Sequence, residues 1–141
     1  MTKVFPASRI GAKTKKGFQK NLNRMRAFCR FIILQEGYEP EPTALMYCQF
    51  LDDFNPKERE LGMERGRMRL LKCDELWMLR NEDGSLSSGM QKELEATEKF
   101  NTTLVQSRYE KITIKYFTPE AVEKWLKEND PFGYKLWLKS K

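Results

Sequence analysis

The chain has 141 residues, 40% of them hydrophobic and 33% charged, with a net charge of +6 and no histidine. That length supports one core and is short for two ordinary domains, so a single domain over residues 1–141 is expected. Without His, Ser-His-Asp and Cys-His catalysis and imidazole bases are excluded, and any chemistry falls to carboxylates, hydroxyls, Lys, Arg or Tyr.

Residues 2–7, TKVFPA, are apolar enough for a first strand, and SRIGAKTKKG follows as a polar loop with two glycines. Phe18, Leu22, Met25, Cys29 and Ile32 then recur at steps of four and three, which predicts a helix with one buried face and Gly37 as its C-terminal cap. YEPE, residues 38–41, reads as a second strand or an extended segment, and Pro40, Pro42 and Pro56 argue against a helix between them. Asn55, Pro56 and Glu58 form an N-cap, a first-turn proline and a capping-box acid, starting a helix that reaches to near Lys72. Gly62 and Gly66 leave a small-residue stripe on it, for close approach of a ligand or for packing on the sheet.

The run from Leu76 to Leu79 does not alternate and predicts a strand covered on both faces. After the loop NEDGSLS, Ser88 with Gln91 signals another N-cap, and Met90, Leu94 and Thr97 mark a helix face reaching to near Phe100. NTTLVQ, residues 101–106, is the next candidate strand, and KITIKYF, residues 111–117, alternates like an edge strand. TPEAVEKWLKEN opens on a Thr cap and a first-turn proline, the start of a final helix. Phe132, Tyr134 and Trp137 in the tail read as a cover for the sheet edge or as a subunit contact. Alternating strands and helices predict a small doubly wound α/β domain, a parallel sheet flanked by helices, with a C-terminal edge strand and helix.

Charge is placed unevenly: residues 1–35 hold nine Lys or Arg and no Asp or Glu. This asymmetry points to an anionic partner, a phosphorylated small molecule or a nucleic acid, or else to a solvated basic helix face. Cys29, Cys48 and Cys73 are odd in number and never spaced C-x-x-C, which fits reduced thiols buried as small hydrophobes. No apolar run approaches the ~18 residues of a membrane span, and MTKVFPASR lacks a signal-peptide core, so a cytoplasmic protein without a membrane partner is expected. Neither a metal nor a cofactor is expected.

In open parallel sheets ligands bind beyond the carboxyl ends of the strands. The loops that fall there, SRIGAKTKKG, ALMYCQFLDD and NEDGSLSSGM, carry hydroxyls, glycines, cations and carboxylates suited to a sugar phosphate. If Ser88 caps its helix, Glu93 lies in the second turn and leans back toward that crevice, where the positive helix end favours its ionised form. Gly89 lets a substrate ring approach the backbone, and free first-turn N–H groups offer donors to an anion or hydroxyl.

The run FLDDFNPKERELGMERGRMRLLKCDELWMLR, followed by SSGMQKELEATEKFNTTLV, resembles the nucleoside 2-deoxyribosyltransferase-like family, in particular a small branch of it seen in phage and bacterial genomes. The resemblance spans residues 3–106, which it makes the domain core, leaving 107–141 as an extension. It implies that Glu93, in the G-M-x-x-E segment with Ser88, Gly89 and Met90, is the nucleophile that attacks the anomeric carbon of a nucleoside. Asp52 or Asp53 would bind sugar hydroxyls or protonate the leaving base. Ser8 and Arg9, with Lys13, Lys15 and Lys16, would stand beside a 5′-phosphate, favouring a nucleoside monophosphate. A homo-oligomer is implied as well, and the host cytoplasm as its location if the chain is phage-encoded. Where the family has A-S-P-Y-R-G, this chain has ASRIG, with Ile10 for the tyrosine, and Thr43 stands where the branch has His. Tyr47 is a candidate substitute for that histidine.

Three functions are therefore open: cleavage or transfer at an N-glycosidic bond, an inactive protein that binds or sequesters a nucleotide, and a basic nucleic-acid-binding module. The last is disfavoured, because a basic patch without a recognised motif gives only salt-sensitive, non-specific affinity.

Overall fold

The computed structural model describes residues 1–103 and 110–141. Four strands, β1 (Thr2–Ala7), β2 (Tyr38–Pro40), β3 (Glu75–Leu79) and β4 (Thr113–Phe117), form an all-parallel sheet in the order β2-β1-β3-β4. The chain winds outward from β1 to β2, then crosses back to β3 on the other side of β1, so the direction of winding switches between β1 and β3. This is the expected doubly wound α/β architecture, with β4 as an edge strand.

Pro6 sits within the central strand β1 without breaking the ladder. Thr2 and Val4 pair toward β2, and Pro6 shares their side of the strand; β2 ends at Pro40, opposite Val4, so the missing N–H has no neighbouring strand to serve. The early end of β2 opens a space beyond it, on which Pro6 fronts.

Alternate side chains of the strands feed two cores. Val4, Trp77 and Leu79 pack with Ala27, Phe28, Phe31 and Ile32 of α1 (Lys15–Ile33), Val122 and Leu126 of α5 (Pro119–Asn129) and Trp137 of α6 (Pro131–Lys139). On the other face Phe5, Ala7, Leu76 and Met78 meet Leu70 of α3 (Pro56–Leu70) and Met90 of α4 (Ser88–Thr103). From Leu76 to Leu79 strand β3 is thus buried on both sides, which is why that run is continuously apolar.

Caps account for several helix starts. Thr14 accepts from the Gly17 N–H, Asn55 from the N–H groups of Lys57 and Glu58, and Thr118 from that of Ala121. Five details differ from the sequence reading. A short helix, α2 (Thr43–Tyr47), fits between the prolines because Pro42 only precedes it and costs it no hydrogen bond. Gly37 does not cap α1, which closes at Leu34; its φ of 91° serves the turn into β2 instead. Ser87, not Ser88, caps α4: its Oγ accepts from the Met90 N–H at 3.3 Å and its carbonyl from the Gln91 N–H at 2.9 Å. Asn101–Thr103 continue α4 rather than start a strand, and the rest of that expected strand lies outside the described residues. The aromatic tail forms a second C-terminal helix, α6, which packs on α1 and buries Trp137, rather than covering the sheet edge. Among the described residues no helix is long and apolar enough to cross a membrane.

Candidate active site

A cleft of about 180 Å³ opens beyond the carboxyl ends of β1 and β2, on the side of α3 and α4. By the same measure a single water needs only about 10–15 Å³, so the cleft has room for a small organic molecule. Four segments and one side chain of α1, Met25, wall it: the end of β1 with its loop, α2 and the turn after it, one face of α3, and the start of α4.

From the first segment Ser8, Ile10 and Gly11 reach the cleft, while Arg9 points to the opposite side. Its guanidinium donates to Asn21, Asn81 and Glu82, the last at 2.7 Å. Lys13, Lys15 and Lys16 are exposed on the loop and first turn of α1 and lie outside the cleft. The basic residues expected beside a phosphate are therefore not brought together there.

The cleft's cations come from α3 instead. Arg59, Gly62, Met63, Gly66 and Arg67 recur at helical spacing on one face and all line it. Sequence reasoning missed the two arginines, although the glycine stripe between them was the available signal. A Cβ on Gly62 would lie 3.3 Å from Leu51 Cδ1, and one on Gly66 3.7 Å from Thr43 Cγ2. The stripe thus brings the α3 backbone close to α2 and the turn after it, and forms a wall of the cleft, rather than packing on the sheet.

Gly11 has a sharper role, since a Cβ there would collide with the Arg59 guanidinium. The obstacle is the end of a flexible side chain, so Gly11→Ala is expected to change stability by less than about 1 kcal/mol while turning Arg59 away. Asp53 Oδ2, 3.6 Å from Arg59 Nη1, would then lose its cation. Its carboxyl is already raised by burial, against the pull of Arg59, and Asp52 adds to the rise. It should climb further in the variant, as an NMR titration of the Asp53 carboxyl would record.

Of the two aspartates only Asp53 lines the cleft. Asp52 is exposed, and its Oδ1 accepts from the Phe54 N–H at 2.9 Å, holding the turn before α3. Tyr47 of α2 lines the cleft, as do Ser88, Gly89 and Met90 at the start of α4. Cys48 is there too, but burial pushes its thiol up to about 11, with Asp53 adding to the rise, so it is no nucleophile near neutral pH.

Glu93 fronts the cleft from the second turn of α4. Burial pushes its carboxyl up to about 8, against the opposing charge of Arg67. The expectation of an ionised carboxylate held by the helix start is thereby corrected. The helix field is concentrated at the first-turn N–H groups, and Glu93 lies beyond them, where loss of solvent outweighs it.

Two hydroxyls complete the wall. Ser8 is 4% exposed and Thr43 2%, and among the described residues neither Ser8 Oγ nor Thr43 Oγ1 has a hydrogen-bond partner. Both residues line the cleft. A buried polar group left unpaired costs about 1–3 kcal/mol, and both oxygens are closed off from the cleft itself.

A larger groove, about 570 Å³, lies beside α1, α5 and α6 and holds Arg9, Arg24, Glu82 and Glu123. Its charges largely satisfy one another. Glu82 takes Arg9 and Arg24 at 2.7 and 2.9 Å, and although burial pushes its carboxyl up, those contacts hold it at about 2. Glu123 pairs with Lys141. The smaller cleft is the better candidate, because it sits at the carboxyl ends of the strands and holds the desolvated carboxyl of Glu93.

No curated protein and no solved structure matches the chain. Residues 7–107 match a family described as a domain of unknown function (DUF7768), a span that contains every residue lining the cleft except Phe5 and Pro6. With most of its length matched, the chain belongs to the DUF7768 family.

Proposed function

We propose that the protein cleaves or transfers at the N-glycosidic bond of a nucleoside, with Glu93 as the attacking carboxylate. The observation that carries this reading is a glutamate, Glu93, desolvated and raised to about 8, fronting a cleft at the carboxyl ends of a parallel sheet, with Glu58 of α3 also on its wall. Ionised Glu93 would form a bond from its oxygen to the anomeric carbon as the C–N bond breaks, and the base would leave with a proton. Water supplies that proton, and Asp53, which also fronts the cleft, is the candidate acceptor for the sugar hydroxyls. Water or a second base would then attack the same carbon and release Glu93. A free nucleoside is preferred over a nucleotide, because Arg9, Lys13, Lys15 and Lys16 lie outside the cleft.

The test is incubation with a panel of nucleosides and their monophosphates, followed by chromatography for free base. Release should increase with pH as Glu93 ionises, so kcat/KM rises toward pH 8. A panel left intact at every pH would sink the proposal.

A second reading, a binding protein without turnover, is favoured by one feature of the site. Among the described residues no hydrogen bond reaches the Glu93 carboxylate, and Ile10 stands on the cleft where the resembled pattern has its orienting tyrosine. Stoichiometric binding in calorimetry with the ligand recovered unchanged would mark that case.

A further inference from the structure

We propose that Arg9 is a positioning residue of the site: from behind the cleft its guanidinium fastens the loop after β1 to the loop after β3, and so sets the gap between the Ile10–Gly11 wall and the start of α4. The inference rests on the strand-end cleft being the site, as proposed above, but not on turnover. β1 and β3 lie side by side, whereas α1, which follows β1, and α4, which follows β3, pack on opposite faces of the sheet. The two connections therefore part where the cleft opens, and a ligand is gripped from both sides only if they keep a fixed distance.

Arg9 meets both. Its Nε donates to Asn21 Oδ1 of α1 at 3.2 Å, and its Nη1 donates to Asn81 Oδ1 at 3.2 Å and to Glu82 Oε2 at 2.7 Å on the loop after β3. An arginine has donors and no acceptor, so it dictates which way each of the two amides faces. Asn21 must turn its nitrogen away from Arg9, and that Nδ2 donates to the carbonyls of Ile10 at 2.9 Å and Gly11 at 3.2 Å, two residues of the cleft wall. Asn81 likewise turns its nitrogen to Ser85 Oγ at 3.2 Å, inside the turn that its own N–H closes on the Ser85 carbonyl at 2.9 Å. Two residues further on, Ser87 caps α4, and Ser87 to Met90 line the cleft. Glu82 is a fixed post and not a loose surface acid. Its other oxygen takes Arg24 Nη1 at 2.9 Å, and Arg24, 2% exposed, is itself anchored on the Arg80 carbonyl at 2.9 Å. One guanidinium thereby orients groups on two walls of a cleft that it does not line.

Amide hydrogen exchange on the free protein tests this without any ligand. Arg9→Met removes every donor and keeps the apolar stem. The Gln91 N–H, bonded to the Ser87 carbonyl at 2.9 Å, should then exchange about tenfold faster or more, the weight of a hydrogen bond to a charged group. The Arg59 N–H, bonded in the same way to the Asn55 carbonyl at 2.9 Å, is the internal control, because neither loop starts α3. Arg9→Lys keeps a charge for Glu82 but lacks the fork that serves two amides, so it should give a smaller rise at Gln91. If Arg9→Met does not fold, the ratio in Arg9→Lys decides. Where base is released, Arg9→Met should also lower kcat by about tenfold or more with KM within about threefold, because a displaced wall costs the aligned transition state more than the bound ground state. Exchange at Gln91 that is unchanged, or that rises no more than at Arg59, would overturn the inference, and so would an unaltered kcat in an active variant. A selective rise at Gln91, in a protein that releases base from no nucleoside, overturns the proposed reaction alone.

Discussion

Glu93→Gln should abolish base release, by about 10³-fold or more, and should also make the protein more stable at pH 8 than the wild type. The second effect follows from the raised carboxyl. An unfolded glutamate titrates near 4.3, and in the fold burial lifts Glu93 to about 8. The native state therefore prefers the protonated form. The stability of the neutral carboxyl is fully present below the unfolded value, falls as pH rises, and is lost as pH passes through the folded value. Since Glu93 keeps part of its surface open to the cleft, the loss between pH 5 and pH 8 should be on the order of 2 kcal/mol rather than the full linkage. Glutamine is neutral throughout and escapes it. Chemical denaturation of both proteins at pH 5 and pH 8 gives the comparison: near-equal stability at the acid end and an advantage to Glu93→Gln at the alkaline end. A parallel decline in both would mean that Glu93 is not the group being desolvated.

The fold was legible because local signals agreed with one another. Asn55-Pro56 and Thr118-Pro119 start helices where the caps said they would, and the unbroken apolar run of β3 reflects cores on both faces. What failed failed for physical reasons. The register of α4 slipped by one because Ser87 and Ser88 are chemically equivalent caps, and only the Met90 N–H distinguishes them. The prolines around α2 were read as a bar to helix, yet a five-residue helix needs only that its prolines lie outside it. In the site, spacing placed Glu93 and the start of α4, which are contiguous in sequence, at the strand-end crevice, and all of them line the cleft. It misplaced the cations: the lysines near residue 15 are conspicuous by charge density but solvated, whereas Arg59 and Arg67 reach the cleft through the helical face that Gly62 and Gly66 clear. The orphan state of Ser8 and Thr43 was invisible, since whether a hydroxyl has a partner is a property of tertiary packing.

Arg67→Met should lower activity at pH 7 by about tenfold and restore most of it at pH 9. Methionine keeps much of the apolar stem of arginine while removing its charge, so the wall of the cleft changes little in volume. The ion pair lost with it, to Glu60 at 3.4 Å, is half open to water and worth at most about 1 kcal/mol. What the charge does matter for is Glu93, because Arg67 is the cation that opposes the effect of burial there. Without it the carboxyl should titrate higher still, leaving a smaller ionised fraction at neutral pH. A nucleophile must be ionised to attack, so the rising limb of kcat/KM should move to higher pH by the same interval as the Glu93 carboxyl titration followed by carbon NMR. Arg67→Lys, which keeps a positive charge, should return both curves most of the way. If activity instead fell equally at every pH while the titration moved, Arg67 would be holding substrate rather than tuning the glutamate. If the titration moved and no variant, wild type included, released base at any pH, the cleft would bind without turning over, and the raised carboxyl of Glu93 would serve as a hydrogen-bond donor to the bound ligand.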